Sequence, residues 1–360
     1  MRLVYTVTND LTYDQRMIRI CSSLARAGHE VLLVGRMLKT SQPLESMLFK
    51  QHRLRCWFNK GFAFYAEYNI RLFFYLLFKK FDIYGAIDLD TILPNLLVAK
   101  MKFKKCIYDA HEYFTEVPEV ENRWLVKAFW GLVARLCIPW VNAAYTVSQS
   151  LADIFHKKYR KPFAVIRNLP LKNIAERQEK PATPIIIYQG ALNEGRGLEE
   201  LIEAMPKVHA RCILVGEGDL SAQLRDLVDR LNLNHKIEFM GYVKPQHLKA
   251  ITQQASIGYN VLQLKGLSYY YSLSNKFFDY IQCGIPSVSS PFPEYKTITK
   301  KYGVGTTCDC EPLALATAIN NILDDAAVYQ KMVSACYAAA EIFNWEEEEK
   351  KLLAIYEQLS

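Results

Sequence analysis

The chain opens with an apolar run, Leu3 to Val7, then a stretch from Asp14 to Ala27 in which Met17, Ile20, Cys21 and Leu24 recur at helical spacing, then a second apolar run, His29 to Gly35. A short apolar run reads as a buried strand and a three/four spacing as the inner face of a helix. Gly28 suits the helix stop, so the opening predicts a strand–helix–strand unit, the repeating block of parallel α/β sheets. Strand candidates at Ile83–Ala86, Cys106–Asp109, Ala143–Val147 and Phe163–Arg167 continue the alternation. Periodicity is then lost in LPLKNIAERQEKPAT, whose prolines, charges and small polar residues are linker composition.

From Pro184 the pattern restarts. Pro184–Gln189 reads as a strand, Leu198, Leu201, Ile202, Met205 and Val208 as a helix face, and Cys212–Val215, Lys236–Phe239, Ile257–Asn260 and Ser287–Ser289 as further strands. The expected organisation is a first doubly wound α/β domain over 1–168, a linker over 169–183, a second over 184–340, and a closing segment, 341–360. The final helix, Trp345 to Leu359, carries Leu352, Ile355 and Leu359 on one side, so it is expected to pack, with the first domain as a surface to cross back to.

Composition narrows the class without naming it. The 360 residues, 51% hydrophobic and 22% charged, suit a globular enzyme with two cores rather than a disordered or fibrous chain. Nine cysteines without paired metal-ligand spacing read as reduced thiols. MRLVYTV lacks the features of a secretory signal, so a cytoplasmic location is expected. LFFYLLF, from Leu72 to Phe78, falls short of the roughly 20 apolar residues of a spanning helix. The net charge of +7 admits nucleic acid, anionic lipid or phosphorylated ligands, but no nucleic-acid module accompanies it.

The chemistry concentrates in the second half. In YSLSNKFFDYIQCGIPSVSS, Ser274 reads as a helix N-cap, Asn275 and Lys276 open the helix and Gly284 closes it. Free N–H groups at the helix start, reinforced by the Lys276 charge, make phosphate a natural ligand, with Asp279 on the same face to accept from ribose hydroxyls. The plain alternative is a capped surface helix with a local Lys276–Asp279 ion pair. In YQGALNEGRGLEELIEAM, Gly190, Gly195 and Gly197 allow close backbone approach, and Arg196 offers a bidentate guanidinium. In LVGEGD, Gly216, Glu217 and Gly218 end a third strand at the same sheet edge, where ligands of open α/β sheets gather. Shaping of turns is the plain alternative for all these glycines.

The series QGALNEGRG, LVGEGD, FMGYV and SNKFFDYIQCGIPSVSS resembles glycosyltransferase family four, retaining enzymes of the GT-B fold, in which two Rossmann-like doubly wound domains face each other across a cleft. That resemblance implies that Arg196 and Lys276 bind the diphosphate of a nucleotide-sugar co-substrate, that Asp279 stands where a ribose-binding glutamate is usual, and that Gly216, Glu217 and the Tyr242 region frame the base. Two glutamates eight positions apart in many members are here Tyr271 and Asp279, and Ala191 stands where many carry arginine. It also places His111, in YDAHEYFTEVPE, next to the donor sugar, with Glu112 and Glu116 as weaker acceptor-side candidates. Asp10 and Arg16, after the first strand, are acceptor-side candidates by position. No permanently bound cofactor is implied, and no metal is needed if Arg196, Lys276 and the helix N-terminus carry the leaving diphosphate. Asp88 and Asp90, in IDLD, read as loop or acceptor-side residues.

The expected function is transfer of a sugar to an acceptor hydroxyl on a glycan or lipid-linked glycan, in surface polysaccharide or glycolipid synthesis. A non-catalytic nucleotide-sugar-binding protein and a GT-B sugar-nucleotide epimerase remain the alternatives. Between Lys50 and Lys80, basic residues interleave with aromatics, and only Glu67 is acidic. That mixture suits attachment at the inner face of an anionic membrane; aromatics packed inward between a helix pair are the preferred reading over it.

Overall fold

The computed structural model describes residues 1–12, 14–117, 120, 123–172 and 180–359, with the backbone alone at 245–246. Tyr13, Pro118, Glu119 and the 173–179 part of the expected linker lie outside the described residues. The chain divides into two compact units, Met1–Asn168 with Glu348–Ser360, and Leu169–Glu347.

The first unit runs β1 (Arg2–Thr6), α1 (Gln15–Arg26), β2 (Glu30–Met37), β3 (Lys50–Arg55), α2 (Gly61–Leu77), β4 (Ile83–Ile87), α3 (Leu89–Met101), β5 (Lys105–Ala110), α4 (Trp124–Cys137), β6 (Ala143–Thr146), α5 (Gln149–Tyr159) and β7 (Ala164–Val165). Its strands form one parallel sheet in the order β3-β2-β1-β4-β5-β6-β7. The order reverses between β1 and β4, and the loops leaving those two strands flank a switch point of the kind where α/β sheets bind ligands. Asp14 caps α1 by accepting from the Met17 N–H (3.0 Å), and Met17, Ile20, Cys21 and Leu24 are buried beneath it.

Strand β3 was not expected from the apolar pattern. The region read as a helix pair is a strand followed by one helix, α2. Of the aromatics there only Phe64 and Tyr68 are buried, in line with Leu72 and Leu76 at four-residue spacing, whereas Trp57, Phe58, Phe62, Phe74 and Phe78 are exposed. The inward reading is corrected to that extent, because a single helix laid on a sheet has only one covered face.

The second unit runs β8 (Ile185–Gln189), α6 (Leu198–Ala204), β9 (Arg211–Val215), α7 (Ser221–Arg230), β10 (Ile237–Gly241), α8 (Pro245–Thr252), β11 (Ile257–Asn260), α9 (Gly266–Tyr270), α10 (Asn275–Gln282), β12 (Ser287–Ser289), α11 (Pro293–Tyr302), β13 (Gly305–Thr307), α12 (Pro312–Leu323) and α13 (Ala326–Ala340). Helix α14 (Trp345–Glu357) begins in this unit and from Glu348 belongs to the first, where the Tyr356 hydroxyl meets that of Tyr5. The parallel sheet has the order β10-β9-β8-β11-β12-β13, with its reversal between β8 and β11. Strand β8 is buried on both faces: Ile186 and Tyr188 enter one core with Leu201, Leu214 and Ile319, Ile185 and Ile187 the other with Val215 and Tyr280. Two-sided burial makes such a strand an unbroken apolar run. No helix among the described residues is long and apolar enough to cross a membrane.

Candidate active site

In the second unit, three loops meet at the carboxyl ends of β8, β9 and β10. The Gly190 N–H donates to the Val215 carbonyl (2.9 Å), Leu192 N–H to Glu217 (3.2 Å) and Gly216 N–H to Gly241 (2.8 Å). At 216 only glycine fits: φ is +136°, and a Cβ would stand 2.0 Å from the Gly190 carbonyl oxygen. A Cβ at Gly195 would press on Tyr269, one at Gly197 on Cys310 and Tyr259, and one at Gly218 on Asn193 and Leu192. These four glycines therefore have a packing reason to be glycine. Gly190 differs, because the space beside its Cα opens onto the Lys276 Nζ, 3.5 Å from where a Cβ would be.

Lys276 leaves the first turn of α10 and lays its ammonium over the Tyr188 ring, 3.8 Å from the centroid. Arg196, at the exit of the β8 loop, lies over the Tyr269 ring at 5.3 Å. Asp279 lies close enough to act on the Lys276 charge, but its described hydrogen bond is to Gln189. Burial, and then the neighbouring Arg196 charge, push the Lys276 pKa well below the ordinary ammonium value, with Asp279 opposing them. Two neighbouring cations held on aromatic faces, each raising the cost of the other's charge, make a site that gains from a polyanion.

Ser274 occupies the N-cap position of α10, but its side chain makes no capping bond; Oγ donates instead to Asn260 Oδ1 (2.6 Å). The expected N-cap residue is in place, without the side-chain bond such a cap usually makes. Asn260, buried at the end of β11, draws the hydroxyl away, and the start of α10 keeps its N–H groups without a side-chain cap. Asn275 is exposed beside it. Asp279, one turn on, accepts from Gln189 Nε2 (3.2 Å), and Gln189 is itself fixed by the Thr252 hydroxyl (2.7 Å). Glu217 is half-exposed and paired with Arg225 (3.0 Å), and the Tyr242 ring is exposed.

In the first unit, the ends of β4 and β5 and the first turns of α1 and α3 bring together His111, Asp88, Asp90, Asp109 and Arg16. His111 Nε2 is 3.0 Å from Asp109 Oδ2; the His111 N–H donates to Asp88 Oδ1 (2.9 Å), and Nδ1 stands 3.9 Å from Asp88 Oδ2. Asp88 itself adopts φ 55°, a conformation uncommon for a residue with a side chain. Burial pushes the imidazolium down, but Asp109 and then Asp88 outweigh it and His111 is raised above its ordinary value. Burial pushes Asp109 up, yet Arg16, and then His111, bring it below the ordinary carboxylate value. Burial raises Asp90 to about 7, with Glu112 adding to it, against a hydrogen bond from Thr8 (2.6 Å) and the nearby His111 charge.

Three acceptor-side expectations change. Arg16 is 4% exposed and fully engaged, forking onto both Asp109 oxygens (3.2 and 2.8 Å) and donating to the Ile166 carbonyl (2.9 Å). It holds Asp109 rather than an acceptor. Glu116 is buried against Lys127 (2.7 Å). Asp10 ties its own loop, accepting from the Thr12 N–H and the Ser41 hydroxyl. Glu112 stays exposed beside His111. Asp109, two residues before His111 at a strand end, and the Tyr188 and Tyr269 rings belong to these sites although no motif in the sequence singles them out.

Residues 15–169 match the family model for Glycosyltransferase Family 4, and residues 183–325 match that for Glycosyl transferases group 1. An uncharacterized glycosyltransferase of Methanocaldococcus jannaschii is 35% identical over 77 residues, a match that spans 20% of each chain. The fold is similar to that of Anabaena HepE solved with UDP (12% identity, 99% of this chain and 100% of that one, TM-score 0.76). It is also similar to the sucrose-phosphate synthase of Thermosynechococcus elongatus (16% identity, 100% and 99%, TM-score 0.80).

Proposed function

Because the chain is a glycosyltransferase family four-like protein of GT-B fold, we propose that it transfers a sugar from a nucleoside-diphosphate donor to an acceptor hydroxyl with retention of configuration. The observation that carries this reading is the pair Arg196, at the exit of the β8 loop, and Lys276, on the first turn of α10, two cations laid on the Tyr269 and Tyr188 rings. A diphosphate placed there meets two full charges and a set of helix N–H groups. The same groups stabilise the charge that grows on the diphosphate as the bond to the anomeric carbon breaks.

Gly190 lets the backbone approach the phosphates, Asp279 accepts from ribose hydroxyls, and the base lies along Gly216, Glu217 and Tyr242. UDP is the first base to test, since the Anabaena neighbour was solved with UDP and with UDP-glucose. His111, whose pKa Asp109 and then Asp88 raise against burial, hydrogen-bonds the donor sugar. In the bond-forming step the acceptor oxygen attacks on the face the diphosphate leaves, and its proton passes to a phosphate oxygen of the leaving group. The acceptor is a glycan or lipid-linked glycan of surface polysaccharide or glycolipid synthesis, met at the inner face of a membrane.

Thermal unfolding with UDP, GDP, ADP and their common sugars tests the reading. A donor at 100 times its dissociation constant adds about 2.7 kcal/mol. A selective shift lost in Arg196→Ala and Lys276→Ala supports the site, and no shift with any nucleotide sinks it. Sugar transfer to an acceptor then separates a transferase from a binding protein, and from an epimerase, which converts the donor without one.

A further inference from the structure

Helices α2, α3 and α4 lie side by side on one face of the first sheet, because β3, β4, β5 and β6 are joined by crossovers that step in the same direction. Their inner sides are buried, and their outer sides carry large apolar side chains among the charged ones. Phe62 and Phe74 on α2, Phe103 just after α3, Phe129 and Leu132 on α4 and Trp140 beyond it are all exposed, Phe62 by 75% and Phe103 by 96%. Two contacts tie the helices together across this side: the Phe62 and Phe129 rings meet edge to face at 6.2 Å, and Lys100 reaches over the Trp140 ring at 5.9 Å. An exposed apolar surface spread over three helices calls for a partner.

Charge says which one. Segments 57–80, 91–105 and 123–140 carry four, four and three Lys or Arg residues and a single acid, Glu67. Glu67 is engaged, accepting from the Trp57 and Phe58 N–H groups and from Arg71. Lys60, Lys80, Lys100, Arg123 and Arg135 stand exposed among the apolar side chains. A second copy docked through a two-fold axis would set this positive field against itself. An anionic lipid surface neutralises it, while the aromatic rings settle at headgroup depth and the long basic side chains reach up to the phosphates.

We propose that the α2–α3–α4 face seats the protein on the surface of an anionic bilayer, with the three helices lying against the headgroup layer. This deepens the membrane part of the proposed function and depends on the transferase reading only for its purpose, access to a lipid-linked acceptor.

The test is co-sedimentation of the full chain, without nucleotide, with vesicles of phosphatidylcholine alone and of phosphatidylcholine with phosphatidylglycerol. Two variants are compared with wild type: Phe62→Ser with Phe129→Ser and Trp140→Ser, and Lys60→Gln with Lys100→Gln and Arg135→Gln. Wild type is expected to bind only the anionic vesicles and to release as salt rises. Each charge removed weakens binding about fivefold, and the apolar variant loses binding while keeping the wild-type circular dichroism and melting temperature. Wild type that ignores anionic vesicles overturns the proposal, as does an apolar variant that binds as well as wild type, or a wild-type dimer that the apolar variant breaks. UDP-induced stabilisation, measured separately, reports on the donor reading, so the two fail independently.

Discussion

Lys276→Met probes the donor site most directly. Methionine keeps an unbranched chain against the Tyr188 ring and removes only the charge, which lies 3.8 Å from that ring. A hydrogen bond from an ammonium to a phosphate contributes about 1.5–3 kcal/mol, so the dissociation constant for UDP should rise about ten- to a hundredfold. The pH dependence is the sharper signature. In the free protein, burial and then Arg196 depress the Lys276 pKa well below the ordinary 10.5; a bound diphosphate restores it. Between those two values the complex holds more protons than the free protein, so affinity falls as pH rises through that window. Stability of the free protein moves the other way, because the unfolded chain binds the extra proton and stability increases with pH over the same range.

Titration calorimetry in buffers of different ionisation enthalpy measures both quantities. Wild type should take up a proton on binding UDP, and Lys276→Met should bind more weakly with no uptake from this residue. Equal affinity in the two proteins, or unchanged proton uptake in the variant, refutes the placement of the phosphates at Lys276.

Arg16→Met leaves Asp109 buried without its cation, which costs about 3–5 kcal/mol; urea unfolding should show that loss, and Arg16→Met with Asp109→Leu should recover most of it. Asp109→Asn removes the larger of the two carboxylate influences that raise the His111 pKa against burial, so the alkaline fall of kcat should move to lower pH; an unmoved limb argues that another group sets it. Gly216→Ala meets the Gly190 carbonyl at 2.0 Å in a backbone conformation that itself costs about 1–3 kcal/mol, whereas Gly28→Ala, also at positive φ but with nothing within 4 Å, isolates the backbone part. The difference between their melting temperatures measures the clash. Sugar transfer is expected to persist in a metal chelator, and loss of turnover restored by magnesium would show that protein cations alone do not carry the leaving group.

The strands legible in the sequence are those buried on both faces. Ile185–Gln189, with Ile185 and Ile187 in one core and Ile186 and Tyr188 in the other, could be read from apolarity alone. Edge strands hide. In β3, KQHRLR, Arg53 is the one buried residue, and its guanidinium is satisfied by the Asp10 and Gln42 carbonyls and the Thr12 hydroxyl. Local pattern reading takes an arginine as exposed, so a strand closed by a satisfied arginine looks like a loop. β13, three residues of GTT paired only to β12, offers no apolar signal either.

The donor side was legible for a different reason: its groups are local. Arg196 sits a few residues after β8, and Lys276 sits on the first turn of a helix that a serine and a glycine bracket in the sequence. What sequence could not weigh was whether these cations were already neutralised. An i,i+3 Lys–Asp spacing is ordinary helix chemistry, and only the fold turns Asp279 to Gln189 and Lys276 to Tyr188. The His111 cluster reverses the case. Its decisive contact, Arg16 to Asp109, joins residues 93 positions apart, and periodicity carries no information about such a pair. Arg16 was therefore read as facing an acceptor when it is the group that keeps Asp109 ionised, and Asp109 in turn holds the imidazole. A basic residue in a first turn beside a strand end is thus ambiguous until its carboxylate is found, and the carboxylate to look for lies at the end of a neighbouring strand of the same sheet.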